Sequence, residues 1–202
     1  MPETATLTAD FGPPGPSDSH LEQFPERKGR HLSETIKQRM TYEADPETIF
    51  AMYLDEGFVR EKNERTGGRG VEVAINTSDG GGCIVTSRRL PAKLPGFARQ
   101  LTGDEISLTQ TDHWHLPAED GSRTGTVKIE FHGLPMRATG NYKLSPLAEG
   151  SECLVELELK ASVPIIGRKI EQVAGEYVQK AVGAEERIGR EWLAANGPED
   201  AE

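Results

Sequence analysis

The 202-residue sequence predicts an α+β fold: a curved antiparallel sheet of about seven strands, two short helices, and a long C-terminal helix in the sheet's concave face. Three observations predict it. From Val163 to Asn196 apolar residues recur at the helical period, placing Ile166, Ile170, Val173, Ala174, Tyr177, Ala181, Ala184, Ile188, Trp192 and Ala195 on one stripe. Ahead of that run, from Arg69 onward, apolar and polar residues alternate with period two, one face dry and one wet. Short turns link these strands, so they form a meander, and a twisted meander of that length curls. The long helix needs a broad concave partner, and the curl supplies one.

Residues 1–30 are rich in Pro, Gly, Ser, Thr and charge, show neither period, and read as a disordered leader. Within it, Gly12 to Pro16 reads as flexible spacer or, alternatively, as a ligand for a partner. A globular domain is expected over 31–197, with a flexible tail over 198–202. Leu32, Ile36, Met40 and Tyr42 share one parity and mark a first strand. Asp45-Pro46 is a helix start, a capping carboxylate followed by proline, and Ile49, Phe50, Tyr53 and Leu54 supply the apolar face. Asp55-Glu56-Gly57 breaks that helix. A second short one, carrying Phe58 and Val59, is expected to end near Lys62.

Val71, Val73 and Ile75 form the next strand, Asp79-Gly80-Gly81-Gly82 its hairpin turn, and Cys83 to Leu90 the return. Two prolines exclude the segment after Leu90 from the sheet interior, so Pro91 to Gly103 reads as a connection with a helical turn at Phe97 to Leu101. Leu94, Phe97 and Leu101 either fold over a cavity mouth as a gate or pack on the last helix. Three strands follow, carrying Ile106, Leu108, Trp114 and Leu116, then Val127, Ile129 and Phe131, then Met136, Ala138, Tyr142 and Leu144. The clearest strand runs from Cys153 to Val163, its apolar residues alternating with Glu156, Glu158 and Lys160. Pro164 suits the first turn of the last helix, and Gly197-Pro198 stops it.

The formal charge of −10 and pI near 5.1 argue against a nucleic-acid binder and against attraction to anionic membranes. There is no apolar run long enough to span a bilayer and no secretory signal pattern, so a cytoplasmic protein is expected. Cys83 and Cys153, the two cysteines, read as reduced, buried small hydrophobes.

Strand parity nominates a site. Glu34 and Gln38 share the dry parity of Ile36 and Met40; Gln110 and Asp112 share that of Leu108 and Trp114; Tyr142 points inward with Met136 and Leu144. Arg88 follows Ile84 and Thr86 on a strand whose parity is ambiguous. A polar group directed into a core needs a partner, a water or a ligand, and a wet or ligand-filled cavity would supply one. Alternatively, some of these groups face solvent at strand ends or across a bulge. A buried Asp112 would have a raised pKa and be the one acid/base candidate. The expected lining is Gln38, Arg88, Phe97, Gln110, Asp112, Trp114 and Tyr142 with Ile170 and Tyr177 from the helix. No metal site is expected: His113 and His115 share the wet parity of Thr109 and Thr111, and simple register sets His132 opposite Leu108. Arg65 to Gly70 lacks the spacing of a phosphate loop and reads as a turn, and no motif calls for a cofactor.

The chain resembles the START-like, or SRPBCC (Bet v 1-like), helix-grip superfamily and, within it, the bacterial domain of unknown function 2505 family. The residues that carry the resemblance are Tyr42, Asp45-Pro46 and Ile49-Phe50, Asp55 and Phe58, Leu90-Pro91 with Leu94-Pro95, Trp114, and Gly133 and Pro135. The most specific stretch is Val163-Pro164-Ile165-Ile166-Gly167 with Ile170-Glu171. The superfamily implies a deep cavity between sheet and helix that holds a lipid, polyketide, sterol or similar apolar molecule. The family implies no reaction. Three readings follow: a carrier or sensor of an apolar small molecule, a polyketide-cyclase-like enzyme using Asp112, Gln110 or Tyr142, and a closed domain that binds a protein partner. The oligomeric state stays open.

Overall fold

A computed structural model describes residues 34–92 and 103–196. The expected leader, the tail and the loop positions Leu94, Phe97 and Leu101 lie outside the described residues. The elements are β1 (Glu34–Tyr42), α1 (Pro46–Tyr53), α2 (Glu56–Arg65), β2 (Arg69–Ser78), β3 (Gly81–Pro91), β4 (Glu105–Trp114), β5 (Arg123–His132), β6 (Met136–Pro146), β7 (Ser151–Ala161) and α3 (Gly167–Asn196). The strands form one seven-stranded antiparallel sheet in the order β1-β7-β6-β5-β4-β3-β2. α3 packs on β1 and β7, with α2 beside it. The helix-grip layout read from the sequence is the fold.

Local chemistry explains the elements that set the frame. Asp45 caps α1, its carboxylate accepting from the N–H groups of Glu47 at 2.9 Å and Thr48 at 3.0 Å. Asp55 caps α2 by accepting from the Phe58 N–H at 2.7 Å. α2 continues past the expected end at Lys62 to Arg65, supported by Arg60–Glu56 and Arg65–Glu61 pairs one turn apart. The β2–β3 turn is the two residues Asp79 (φ 50°) and Gly80 (φ 83°), the left-handed pair of a type I′ hairpin, so Gly81 and Gly82 belong to the strand rather than the turn. Helix side chains engage both edge strands at one point each. On β1, Glu186 accepts from the Thr41 N–H and Arg190 donates to the Thr41 carbonyl; on β2, Arg60 donates to the Val71 carbonyl.

The core lies between the inner sheet face and α3, with Ile36, Met40, Leu144, Cys153, Leu159, Ile170 and Ile188 each at most 2% exposed. Arg123 is also buried. Its guanidinium donates to the Gly80 carbonyl at 2.8 Å, pairs with Glu47 and sits 3.8 Å above the Phe50 ring, tying α1 to the sheet.

Several expectations are corrected. α3 begins at Gly167, not at Val163 or Pro164. Ile165 takes a left-handed conformation (φ 69°) and is fully exposed, so the preceding residues form a turn. Ala195 is exposed in the last turn of α3, and Leu116 lies beyond β4 and is exposed. Cys83 is half-exposed on the outer face, its thiol 3.8 Å from His113 Nε2, whereas Cys153 is buried. The buried face of α3 is also rotated from the expected stripe: it is centred on Ile170, Glu171, Gly175, Val182, Ile188 and Gly189, leaving Val173, Ala174, Tyr177 and Ala184 half-buried. The cause is close approach. A Cβ at Gly175 would lie 3.3 Å from Glu34 Cγ, and one at Gly189 2.8 Å from the Tyr42 ring.

Candidate functional site

The inner face of the sheet brings a set of polar groups into one place. Alternate residues of β3 (Ile84, Thr86, Arg88) and β4 (Gln110, Asp112, Trp114) face α3, in a register that pairs Thr86 with Gln110 and Ile84 with Asp112. Arg88 Nη2 donates to Gln110 Oε1 at 3.0 Å. The Gln110 amide N–H₂ donates to both Asp112 oxygens, at 3.1 and 2.9 Å, and the Tyr142 hydroxyl donates to Asp112 Oδ1 at 2.9 Å. The chain of bonds runs guanidinium, amide, carboxylate, phenol.

The aromatic wall beside it depends on a glycine. Trp114 and Tyr142 flank Gly125 on adjacent strands, and their rings stack across it at 5.1 Å and 11°. A Cβ at Gly125 would sit 2.7 Å from the His113 carbonyl oxygen and 3.2 Å from the indole. Tyr53 from α1 also stacks on the indole, at 5.4 Å and 15°. Across the space, Lys62 of α2 pairs with Glu185 of α3 at 2.9 Å, its ammonium 5.4 Å from the Tyr53 ring and 5.5 Å from that of Phe58.

Burial sets the electrostatics. It raises the Asp112 pKa, against the lowering effect of nearby Lys62 and of the bonds from Gln110 and Tyr142. It raises that of Tyr142 well above the ordinary phenol value, with the Asp112 charge acting in the same direction. The Arg88 pKa is lowered by the same desolvation, and the Cys153 thiol is pushed up to about 12. Such a carboxyl can hold a proton closer to neutrality than a solvated one.

The described residues enclose three adjoining spaces between the sheet and the helices. The outer one, about 510 Å³, is lined mostly by apolar side chains, among them Leu90, Ile106, Phe131, Leu134, Met136, Ile170, Val173 and Ala174. Tyr177, Phe131 and Leu90 also wall an inner space of about 100 Å³ that reaches Arg88, Gln110 and Tyr142. A recess of about 20 Å³ ends at Asp112 and Trp114. A larger hollow of about 820 Å³ lies on the outer face of the sheet, lined largely by Thr, Lys and Glu side chains such as Thr126, Lys128 and Glu130. No buried polar group converges on it, so the inner set is the candidate site.

Of the residues nominated from sequence, Arg88, Gln110, Asp112, Trp114 and Tyr142 come together, and Ile170 and Tyr177 line the outer space. Arg88, whose parity was ambiguous, faces inward. Gln38 keeps its inward parity but lies against α3, 3.6 Å from where a Cβ of Gly183 would be, and lines none of the three spaces. Phe97 falls outside the described residues. Sequence reasoning missed Lys62, Glu185, Asn63 and Tyr53. Glu185 carried a usable signal: it follows Val178, Ala181 and Val182 at helical spacing, an acid in an apolar row. On the outer face, His132 pairs with Ser107, one residue from the expected Leu108, and its Nε2 is 2.9 Å from Thr109 Oγ1. Among the described residues no three His, Cys, Asp or Glu side chains gather as a metal-binding group, and no helix is long and apolar enough to cross a membrane.

Residues 37–193 match the family described as "Protein of unknown function (DUF2505)". The chain belongs to this family. A curated relative, "Uncharacterized protein Rv0481c" of Mycobacterium tuberculosis (strain ATCC 25618 / H37Rv), is 28% identical over 105 residues, 51% of this chain. The chain spans 60% of the length of that relative. Among solved structures, TTHA0849 from Thermus thermophilus is similar, with 14% identity, a TM-score of 0.59, and coverage of 82% of this chain and all of that one (100%). The STAR-related lipid transfer protein (fragment 25-204) from Xanthomonas axonopodis is similar at 16% identity and a TM-score of 0.54, over 79% of this chain and 85% of that chain. The DUF2505 chain therefore has a START-like fold.

Proposed function

We propose that this chain binds a hydrophobic small molecule, of the lipid or polyketide kind, in the space between the sheet and α3, as a carrier or sensor. The observation that carries the reading is the apolar outer space of about 510 Å³, adjoining an inner space lined by a few polar groups. Small-molecule sites are commonly about 300–1,000 Å³, mostly apolar, with a small number of placed polar groups. A STAR-related lipid transfer protein shares the fold, which agrees with the reading.

Acid–base catalysis is the second reading, favoured by the raised pKa of Asp112 and its contact with Tyr142. Volume weighs against it. The recess at Asp112 is about 20 Å³, close to the minimum of about 10–15 Å³ that one water needs, and both carboxylate oxygens are engaged by protein donors. Native mass spectrometry of the purified protein, followed by organic extraction, tests the binding reading. A defined extra mass of apolar character that disappears on extraction is expected. A clean unliganded mass, together with no uptake of the neutral probe Nile red, would refute it.

A further inference from the structure

Arg88 holds one group that the interior does not use. Its Nη2 donates to Gln110, but Nη1 is buried out of contact with water and has no hydrogen-bond partner in the protein. A buried donor on a charged group is strongly disfavoured unless something accepts from it. The neighbouring acids are committed elsewhere. Asp112 accepts from Gln110 through both oxygens and from Tyr142, and Glu185 is paired with Lys62. The Gln110 amide stands between guanidinium and carboxylate, so Arg88 and Asp112 make no direct ion pair. Arg88 lines the inner space of about 100 Å³, and that space shares the walls Leu90, Phe131 and Tyr177 with the apolar outer one.

We propose that the cavity selects an apolar molecule that ends in a carboxylate, seated with the carboxylate on Arg88 Nη1 and the apolar body in the outer space. The inference rests on the binding reading above and names the class of ligand. A carboxylate supplies the acceptor and the counter-charge together, in a charge-assisted bond. A phosphate monoester would bring close to two charges, and Lys62, the other cation among the described residues lining the inner space, is already paired with Glu185. An alcohol or ester would accept from Nη1 but bring no counter-charge to the buried guanidinium.

Fluorescence titration of the intact chain above neutral pH with cis-parinaric acid and with its methyl ester tests this. The acid is expected to bind at least about tenfold more tightly than the ester, the scale of one charge-assisted hydrogen bond. Arg88→Met is expected to weaken the acid by more than the ester, bringing the acid-to-ester ratio close to one. Equal binding of acid and ester by the unaltered chain would overturn the carboxylate assignment while the hydrophobic-cavity reading stood. Binding of neither probe would count against the cavity reading itself. An acid preference that survives in a folded Arg88→Met protein would remove Arg88 from the role. If that variant fails to fold by circular dichroism, the acid-to-ester ratio of the unaltered chain decides alone.

Discussion

The three glycines of α3 that face β1 give a graded test of how the helix is seated. Replacing glycine by alanine inside a helix gains about 1 kcal/mol from propensity alone. At Gly183 a new Cβ would meet Gln38 Nε2 at 3.6 Å, an ordinary contact, so Gly183→Ala should stabilise by about 0.5–1 kcal/mol. At Gly175 it would meet Glu34 Cγ at 3.3 Å, a flexible and half-buried side chain, and gain and crowding should nearly cancel. At Gly189 it would lie 2.8 Å from Tyr42 Cε1 and 3.2 Å from Met52 Cε. Neither yields readily: Met52 is fully buried, and Tyr42 is 3% exposed with its hydroxyl held by Tyr53 at 3.3 Å. Overpacking of this kind costs about 1–3 kcal/mol, so after the propensity gain Gly189→Ala should lose about 0–2 kcal/mol where Gly183→Ala gains. Urea denaturation, with the m-value checked for constancy, measures all three. A Gly189→Ala protein as stable as Gly183→Ala would refute the seating of α3 on β1.

Three further predictions follow from the same contacts. The raised pKa of Asp112 means that the unfolded chain ionises first, so its contribution to stability falls as pH rises above the ordinary carboxylate value, until the folded group ionises too. Asp112→Asn should remove that fall, its stability relative to the unaltered chain growing across that same window at no more than about 1.4 kcal/mol per pH unit; parallel pH–stability curves would refute it. Gly125→Ala should destabilise by about 1–3 kcal/mol and alter the near-ultraviolet circular dichroism of the Trp114–Tyr142 stack, and an unchanged spectrum would show that the rings do not depend on that glycine. Asp45→Ala should cost about 1 kcal/mol by removing the α1 cap, read from the thermal midpoint; no shift would mean that the cap does not hold the helix start.

The strands were legible where one face is dry and the other wet. The alternation from Cys153 to Ala161 matches the observed burial residue by residue, and the same parity carried Gln110, Asp112 and Tyr142 to one site. Legibility failed where the packing surface carries no hydrophobic signal. α3 is buried around Gly175 and Gly189, residues invisible to an apolar count, so the expected stripe lies to one side of the buried face and leaves out Glu171 and Glu185. Ile165 and Leu116 look like core by composition yet are exposed, because a turn and a strand end intervene. The Arg88–Gln110 contact depends on the pairing of β3 with β4 across a long connection, which local pattern does not encode.

The placement of β1 has a consequence for how the chain is made. Its sheet neighbour is β7, with Glu34 set opposite Leu159, so the first strand synthesised waits for the last. At about 5–20 residues per second on the ribosome, that wait is on the order of ten seconds. Throughout it, Ile36, Met40 and Tyr42 have no partner strand and α3 does not yet exist to cover them. The central hairpins can form as they emerge, but closure of the sheet waits for β7. A nascent chain arrested before β7 should therefore be protease-sensitive at β1 while the β2–β5 region is already protected.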